Sequence, residues 1–132
     1  MHALCHGIDL VEVTRIADLR KRHPSRFVER CFTAGERDYC LGRRREAEHL
    51  AVRFAAKEAV LKALGTGLVG GLHWTDIEVH RNSDGRPSIR LHNLAAEHAI
   101  RLGVTDWLVS LSHTDSNAMA SVIGMGTAPE VT

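Results

Sequence analysis

Residues Arg53 to Gly67 read RFAAKEAVLKALGTG, and the rest of the chain is organised around them. Helix begins upstream, from Glu46. Ala47, Leu50, Ala51, Phe54, Ala55 and Leu61 recur at the spacing that lines one helical face with apolar groups. At roughly 100° per residue, Glu58 falls within that apolar stripe, between Phe54 and Leu61. Lys62 follows one turn on, at i+4. A carboxylate on a buried face requires a partner or a cation, because a lone buried charge is costly. Two readings follow. One is a core helix with an internal Glu58–Lys62 ion pair. The other makes Glu58 a metal ligand or base and Lys62 a phosphate partner, since Mg²⁺ is held by one or two carboxylates together with substrate phosphates. Gly65-Thr66-Gly67 ends the helix, glycine being suited to the left-handed cap.

The chain has 132 residues, enough for one domain with its own core. The composition, 44% hydrophobic and 25% charged, is that of a globular protein. No apolar run approaches the ~20 residues of a membrane span, and no secretory leader is read. A net charge of +1 argues against a nucleic-acid binder. Cys5, Cys31 and Cys40 are odd in number and lack metal-ligand spacing, which suits reduced thiols in a cytoplasmic protein. His2, Cys5 and His6 lie close together, with nothing downstream to complete a zinc set.

Around the long helix the elements read in order. His2 to Leu10 is a strand with Asp9 at its end. Val11 to Arg22 is a helix. Pro24 separates it from a short amphipathic helix carrying Phe27, Val28, Cys31 and Phe32. Thr33 and Glu36 make a capping box for a helix to about Leu41. Arg43-Arg44-Arg45 is a basic connector. Leu68 to His73 is a loop, and Trp74 to Arg81 a strand. Asn82-Ser83-Asp84-Gly85 turns the chain into Pro87 to Leu91. Asn93 caps a helix over Leu94 to Leu102, closed by Gly103. Asp106 to His113 is a strand with Trp107, Val109, Leu111 and His113 on one face, and Asn117 to Ile123 is its hairpin partner. Residues 125–132 form a flexible tail behind a domain of residues 1–124. Helices and strands mix without a βαβ rhythm. The fold class is α+β, a mostly antiparallel sheet packed against the long central helix. Between Arg15 and Arg30 six cations face only Asp18 and Glu29, a local +4. That run suits either a solvated helical face or a dock for an acidic partner.

Several short motifs occur in order: Gly7-Ile8-Asp9, Arg15-Ile16, Arg53-Phe54-Ala55-Ala56-Lys57-Glu58-Ala59, Lys62, Gly65-Thr66-Gly67, Asp76-Ile77-Glu78, Gly85-Arg86-Pro87 and Ser110-Leu111-Ser112-His113. Together they resemble the holo-[acyl-carrier-protein] synthase family, the short single-domain 4'-phosphopantetheinyl transferases. The resemblance runs from Gly7 to about Ile123 and implies that family's fold. It implies an enzyme moving the phosphopantetheine arm of coenzyme A to a serine of an apo acyl carrier protein, with adenosine 3',5'-bisphosphate as the other product. By the same resemblance Mg²⁺ is the cofactor, with Asp9 and Glu58 as its ligands, and Lys62 contacts the phosphates. Arg53 and His113 are similar to positions that hold the 3'-phosphate of coenzyme A, and Gly65, Thr66 and Gly67 to a stretch whose backbone donors approach the nucleotide. The base for the serine proton is Glu58 itself or a cation-bound water near Asp9. Arg15, with Arg22 and Arg26, falls on the carrier-docking surface. The resemblance further implies a homotrimer with sites between subunits, and a cytoplasmic role in fatty-acid biosynthesis, a secondary pathway being the alternative. Two other classes remain at this point, a non-catalytic coenzyme A-binding module and a scaffold protein. The first has no need of both Asp9 and Glu58, and the second would show an exposed apolar face or heptads.

Overall fold

The computed structural model describes residues 1–130. Its elements in order are β1 (His2–Glu12), α1 (Val13–Arg22), α2 (Arg26–Cys31), α3 (Ala34–Cys40), α4 (Glu46–Leu64), β2 (Ile77–Arg81), β3 (Pro87–Leu91), α5 (Asn93–Leu102), β4 (Val104–His113) and β5 (Asn117–Gly126). The strands form an antiparallel sheet ordered β1-β5-β4 and a separate hairpin, β2-β3. The fold is α+β, as the mixed elements imply.

Helix α4 lies across the sheet, and the residues that touch it are small. Gly7 of β1 faces it, as do Ala118, Ala120 and Val122 of β5, all buried. A β-carbon on Gly7 would stand 2.0 Å from the Ala59 carbonyl oxygen. Strand and helix backbones are therefore in direct contact, which only glycine permits at that position. On the helix side the contact surface is Ala55, Ala56, Ala59 and Ala63, also buried. The remaining sides of α4 are covered by α1, α3, β2 and α5.

That coverage corrects the amphipathic reading of α4. Between Leu50 and Leu64 every residue is buried except Glu58 and Lys62. Glu58 does not sit in a buried stripe. It belongs to the narrow strip that reaches the surface, while the buried charges are Arg53 and Lys57. Lys57 is fully buried, and its Nζ lies 2.6 Å from Glu36 Oε1. It also donates to the carbonyls of Trp74, at 3.2 Å, and Ile77. Burial draws its pKa down, and the Glu36 carboxylate opposes that. Glu36 in turn accepts from the amides of Thr33 and Val79, each at 2.9 Å. One buried pair thus joins α4, α3 and β2, with every visible valence used, as buried charges require.

Other boundaries move. β1 continues to Glu12, so Asp9 lies inside the strand opposite Ala120 and not at its end. The helix cannot start earlier because the Val13 amide still bonds Ser116 O. Trp74–Asp76 is a single 3-10 turn, and the strand starts at Ile77. Asn93 does not cap α5 with its side chain. It takes φ 51°, and its side-chain Nδ2 donates to Asp76 Oδ1 at 3.2 Å. β5 extends past Ile123 to Gly126, because both β1 and β4 still offer ladder partners there, His2 and Val104. The last part of the expected tail, residues 131 and 132, lies outside the described residues.

Candidate active site

Where β1 crosses α4, Lys62 meets Asp9, with Glu58 within electrostatic reach of both. Lys62 Nζ donates to Asp9 Oδ1 at 2.9 Å and to the Ile8 carbonyl at 3.0 Å. It does not close the ion pair with Glu58 on its own helix. Burial pushes the Glu58 carboxyl above its ordinary range. The Asp9 charge pushes it the same way, with Lys62 and Arg15 opposing. Two carboxylates are thus held near each other, at some cost, beside one lysine. Among the described residues no group of three or more His, Cys, Asp or Glu gathers. Two hard oxygen donors without imidazole or thiolate suit a cation that keeps waters and phosphates as its other ligands, and do not suit zinc.

At the end of α4, Gly65 adopts the left-handed cap with φ 75°. Its amide donates to Leu61 O and Lys62 O, and the Thr66 amide to Leu61 O. These two donors close the helix and do not face outward as expected. The Thr66 hydroxyl is buried without a partner among the described residues.

Arg53 and His113 come together elsewhere. Both line a cleft of about 310 Å³ with His49, Arg81, Pro87 and Ser110. The His113 Nδ1 is 2.9 Å from Glu48 Oε1, which fixes its ring. Arg53 is buried, its Nη1 donating to His49 O at 3.2 Å. The helix separates this group from the first. Arg53 and Lys62 are nine residues apart, so they point in roughly opposite directions from α4.

The docking residues divide. Arg15 lies over the Phe54 ring, 5.9 Å from its centroid. Arg22 is paired with Asp18 at 3.2 Å, an acid already counted in the local +4, whereas the pairing of Arg20 with Glu46 at 3.1 Å takes one further charge off it. Arg26 and Arg30 rim an apolar cleft of about 310 Å³ floored by Leu19, Phe27, Phe54 and Trp74. Sequence reasoning missed Glu48, His49, Tyr39 and Arg81, and read Glu36 only as part of a capping box. The one available signal was Arg53 and Lys57, two cations one turn apart in an alanine-rich run.

Residues 6–119 match the family model of the 4'-phosphopantetheinyl transferase superfamily. A holo-[acyl-carrier-protein] synthase of Moorella thermoacetica is 52% identical over 114 residues, 86% of this chain and 88% of the relative. The crystal structure of the Neisseria meningitidis holo-[acyl-carrier-protein] synthase superposes with a TM-score of 0.85 at 27% identity, covering 94% of this chain and 99% of that one. The Bacillus anthracis synthase, solved in complex with CoA (3',5'-ADP), superposes with a TM-score of 0.77 at 31% identity, covering 95% and 98%.

Proposed function

The chain belongs to the 4'-phosphopantetheinyl transferase superfamily, and on that premise we propose that it transfers the phosphopantetheine arm of coenzyme A to a serine hydroxyl of an apo acyl carrier protein. The products are the holo carrier protein and adenosine 3',5'-bisphosphate. The observation that carries this reading is the meeting of Lys62 with Asp9 where β1 crosses α4, with Glu58 within electrostatic reach of both.

Asp9 and Glu58 would hold Mg²⁺, which when bound supplies a Lewis acid to the pyrophosphate. The chain's own residues do the rest. Lys62 is a flexible point charge for phosphate oxygens, already anchored on Asp9 and the Ile8 carbonyl. The serine oxygen forms a bond to the β-phosphorus as the bond from that phosphorus to the nucleotide's bridging oxygen breaks. The serine proton leaves to a base, which is Glu58 itself or a water held near Asp9. Arg53 and His113 grip the nucleotide's 3'-phosphate. Arg15 and Arg26, with the apolar cleft beneath Arg26, offer an acidic carrier both charge and a greasy seat. Arg22 adds to this rim once its exposed pair with Asp18 is exchanged for a partner's carboxylate.

The working form is a homotrimer with sites between subunits. Two features support it. The catalytic carboxylates and the Arg53–His113 cleft leave α4 on different sides, so one coenzyme A is served best by two chains. The outer face of the sheet exposes Ile8, Leu10, Leu108 and Met119, an apolar surface that a second copy would cover. Three unpaired cysteines suit a reducing cytoplasm. No helix is long and apolar enough to cross a membrane among the described residues.

The test mixes the protein with coenzyme A, Mg²⁺ and a panel of apo carrier proteins, and follows intact carrier mass. The expected result is one phosphopantetheine increment on a serine. Coenzyme A binding without any increment across the panel would overturn the transferase reading in favour of a binding module.

A further inference from the structure

Tyr39 is surrounded by cations. The guanidinium carbons of Arg43, Arg53 and Arg81 lie 3.9, 4.3 and 5.1 Å from its ring centroid, and the His49 ring meets it edge-on at 5.6 Å. The three arginines come from the connector after α3, from α4 and from the end of β2. None of them has a carboxylate within ion-pairing distance among the described residues. Their described hydrogen bonds go to carbonyls, Tyr39 O for Arg43, His49 O for Arg53 and Gly85 O for Arg81. Arg53 is 2% exposed, and its Nε is buried with no partner. Acids in the neighbourhood are engaged with other groups. Glu78, across the cleft behind, bonds Thr33 and His92, and Glu48 bonds His113. The field is felt locally, for His49 is held below its ordinary pKa by burial first and then by Arg53, Arg43, His113 and Arg81.

Like charges this close repel. Each arginine has its own carbonyl partner, and the attraction common to all three is the negative face of the Tyr39 ring. The hydroxyl of Tyr39 makes no hydrogen bond among the described contacts, so the ring is what acts. Arg53 and Arg81 also form the wall shared by the cleft in front, with His113, and the smaller cleft behind, with Tyr39. The geometry points to Tyr39 as a positioning residue: its ring assembles Arg43, Arg53 and Arg81 into a preformed receptor for a phosphomonoester dianion, which makes the site discriminate a nucleotide carrying a 3'-phosphate from one without it. The inference rests on coenzyme A being the substrate and adds the element that sets the selectivity. Planar guanidiniums bind phosphate in a fixed fork, so holding their orientation matters as much as their charge.

The test measures, by titration calorimetry, affinities for adenosine 3',5'-bisphosphate and for adenosine 5'-monophosphate. Wild type is expected to favour the bisphosphate by tenfold or more, roughly the worth of one strong charge-assisted contact. Tyr39→Phe keeps the ratio. Tyr39→Leu lowers it roughly tenfold with the monophosphate affinity unchanged. A merely structural role would weaken both ligands alike. Arg43→Gln and Arg81→Gln, on exposed side chains, each lower the ratio too, whereas Arg44→Gln does not. A folded Tyr39→Leu protein that keeps the ratio overturns the proposal. If that variant does not fold, an unchanged ratio in both Arg43→Gln and Arg81→Gln overturns it. A wild type without selectivity that still charges a carrier protein also overturns it, while leaving the transferase reading standing.

Discussion

Replacing Gly7 by alanine is the smallest change that should dismantle both fold and site. The added carbon would stand 2.0 Å from Ala59 O, 2.9 Å from Ala59 C and 3.0 Å from Ala63 N. All three are backbone atoms of a helix packed on its other sides, so no side chain can swing away. Bringing the shortest contact to 3.0 Å needs β1 and α4 to part by about 1 Å, the usual steric floor in packed interiors. Lys62 spans that seam with bonds of 3.0 and 2.9 Å to Ile8 and Asp9. A 1 Å retreat stretches both to about 4 Å, past hydrogen-bonding reach. Overpacking of this kind costs about 3 kcal/mol, the upper end of the usual range, because the obstruction is rigid. Urea unfolding followed by Trp74 and Trp107 fluorescence should then show a midpoint lower by roughly 1–3 M. Turnover of the still-folded protein should fall as well, since Asp9 has moved from Glu58. A Gly7→Ala midpoint equal to wild type would show that β1 does not lie flush on α4, and the geometry of the Asp9–Lys62 contact would fall with it.

Glu58→Gln should lower carrier charging by at least ~10²-fold, the scale of losing a main electrostatic stabiliser, and should abolish the rise in melting temperature that Mg²⁺ gives wild type; normal turnover at limiting Mg²⁺ would refute the metal role. Arg15→Glu should raise KM for the carrier protein and flatten its salt dependence while leaving KM for coenzyme A in place; the opposite pattern would move Arg15 out of the docking surface. Cys40 is buried, and burial lifts its thiol from 9.0 to about 11. A raised folded-state pKa stabilises below the unfolded value and is lost as pH climbs through the folded one, so this thiol withdraws about 3 kcal/mol between pH 9.0 and 11. Stability of Cys40→Ala should therefore fall less than wild type over that window. Light scattering under assay conditions should give a trimer mass, and a monomer mass would remove the shared-site arrangement.

Local chemistry was legible in the sequence, and its long-range use was not. Thr33 and Glu36 form the capping box their spacing announces. Yet the same Glu36 holds Lys57, and nothing local in either residue names the other across α3 and α4. The turn at Asn82 to Gly85 was readable because it is built from its own four residues. The start of α1 was not, because it is fixed by a bond from Val13 to Ser116 on a distant strand. Glu58 and Lys62 were singled out by a buried stripe that the helix does not have, and Lys62 bonds Asp9 and Ile8 in place of Glu58. Periodicity assigns a helix one apolar face, whereas α4 is enclosed on nearly every side, and its few surface positions are then the informative ones. The resemblance supplied Asp9 as a companion, and Lys62 Nζ donates to it at 2.9 Å. Tyr39 left no trace in the pattern, since an aromatic collecting cations from three segments is visible only once they fold together.

The Lys57–Glu36 pair has a consequence for how this sequence can change. Losing either partner strands the other charge in the core, at about 3–5 kcal/mol, a large share of the 5–15 kcal/mol that typically separates folded from unfolded. Losing both to a well-packed apolar pair would cost little or nothing. The two acceptable states are thus divided by single substitutions that scarcely fold. Drift at residue 57 is barred by residue 36, and drift at residue 36 by residue 57. The backbone around Glu58 inherits that immobility, because Lys57 immediately precedes it, and the carboxylate on the surface strip is held in register by a pair that solvent never reaches.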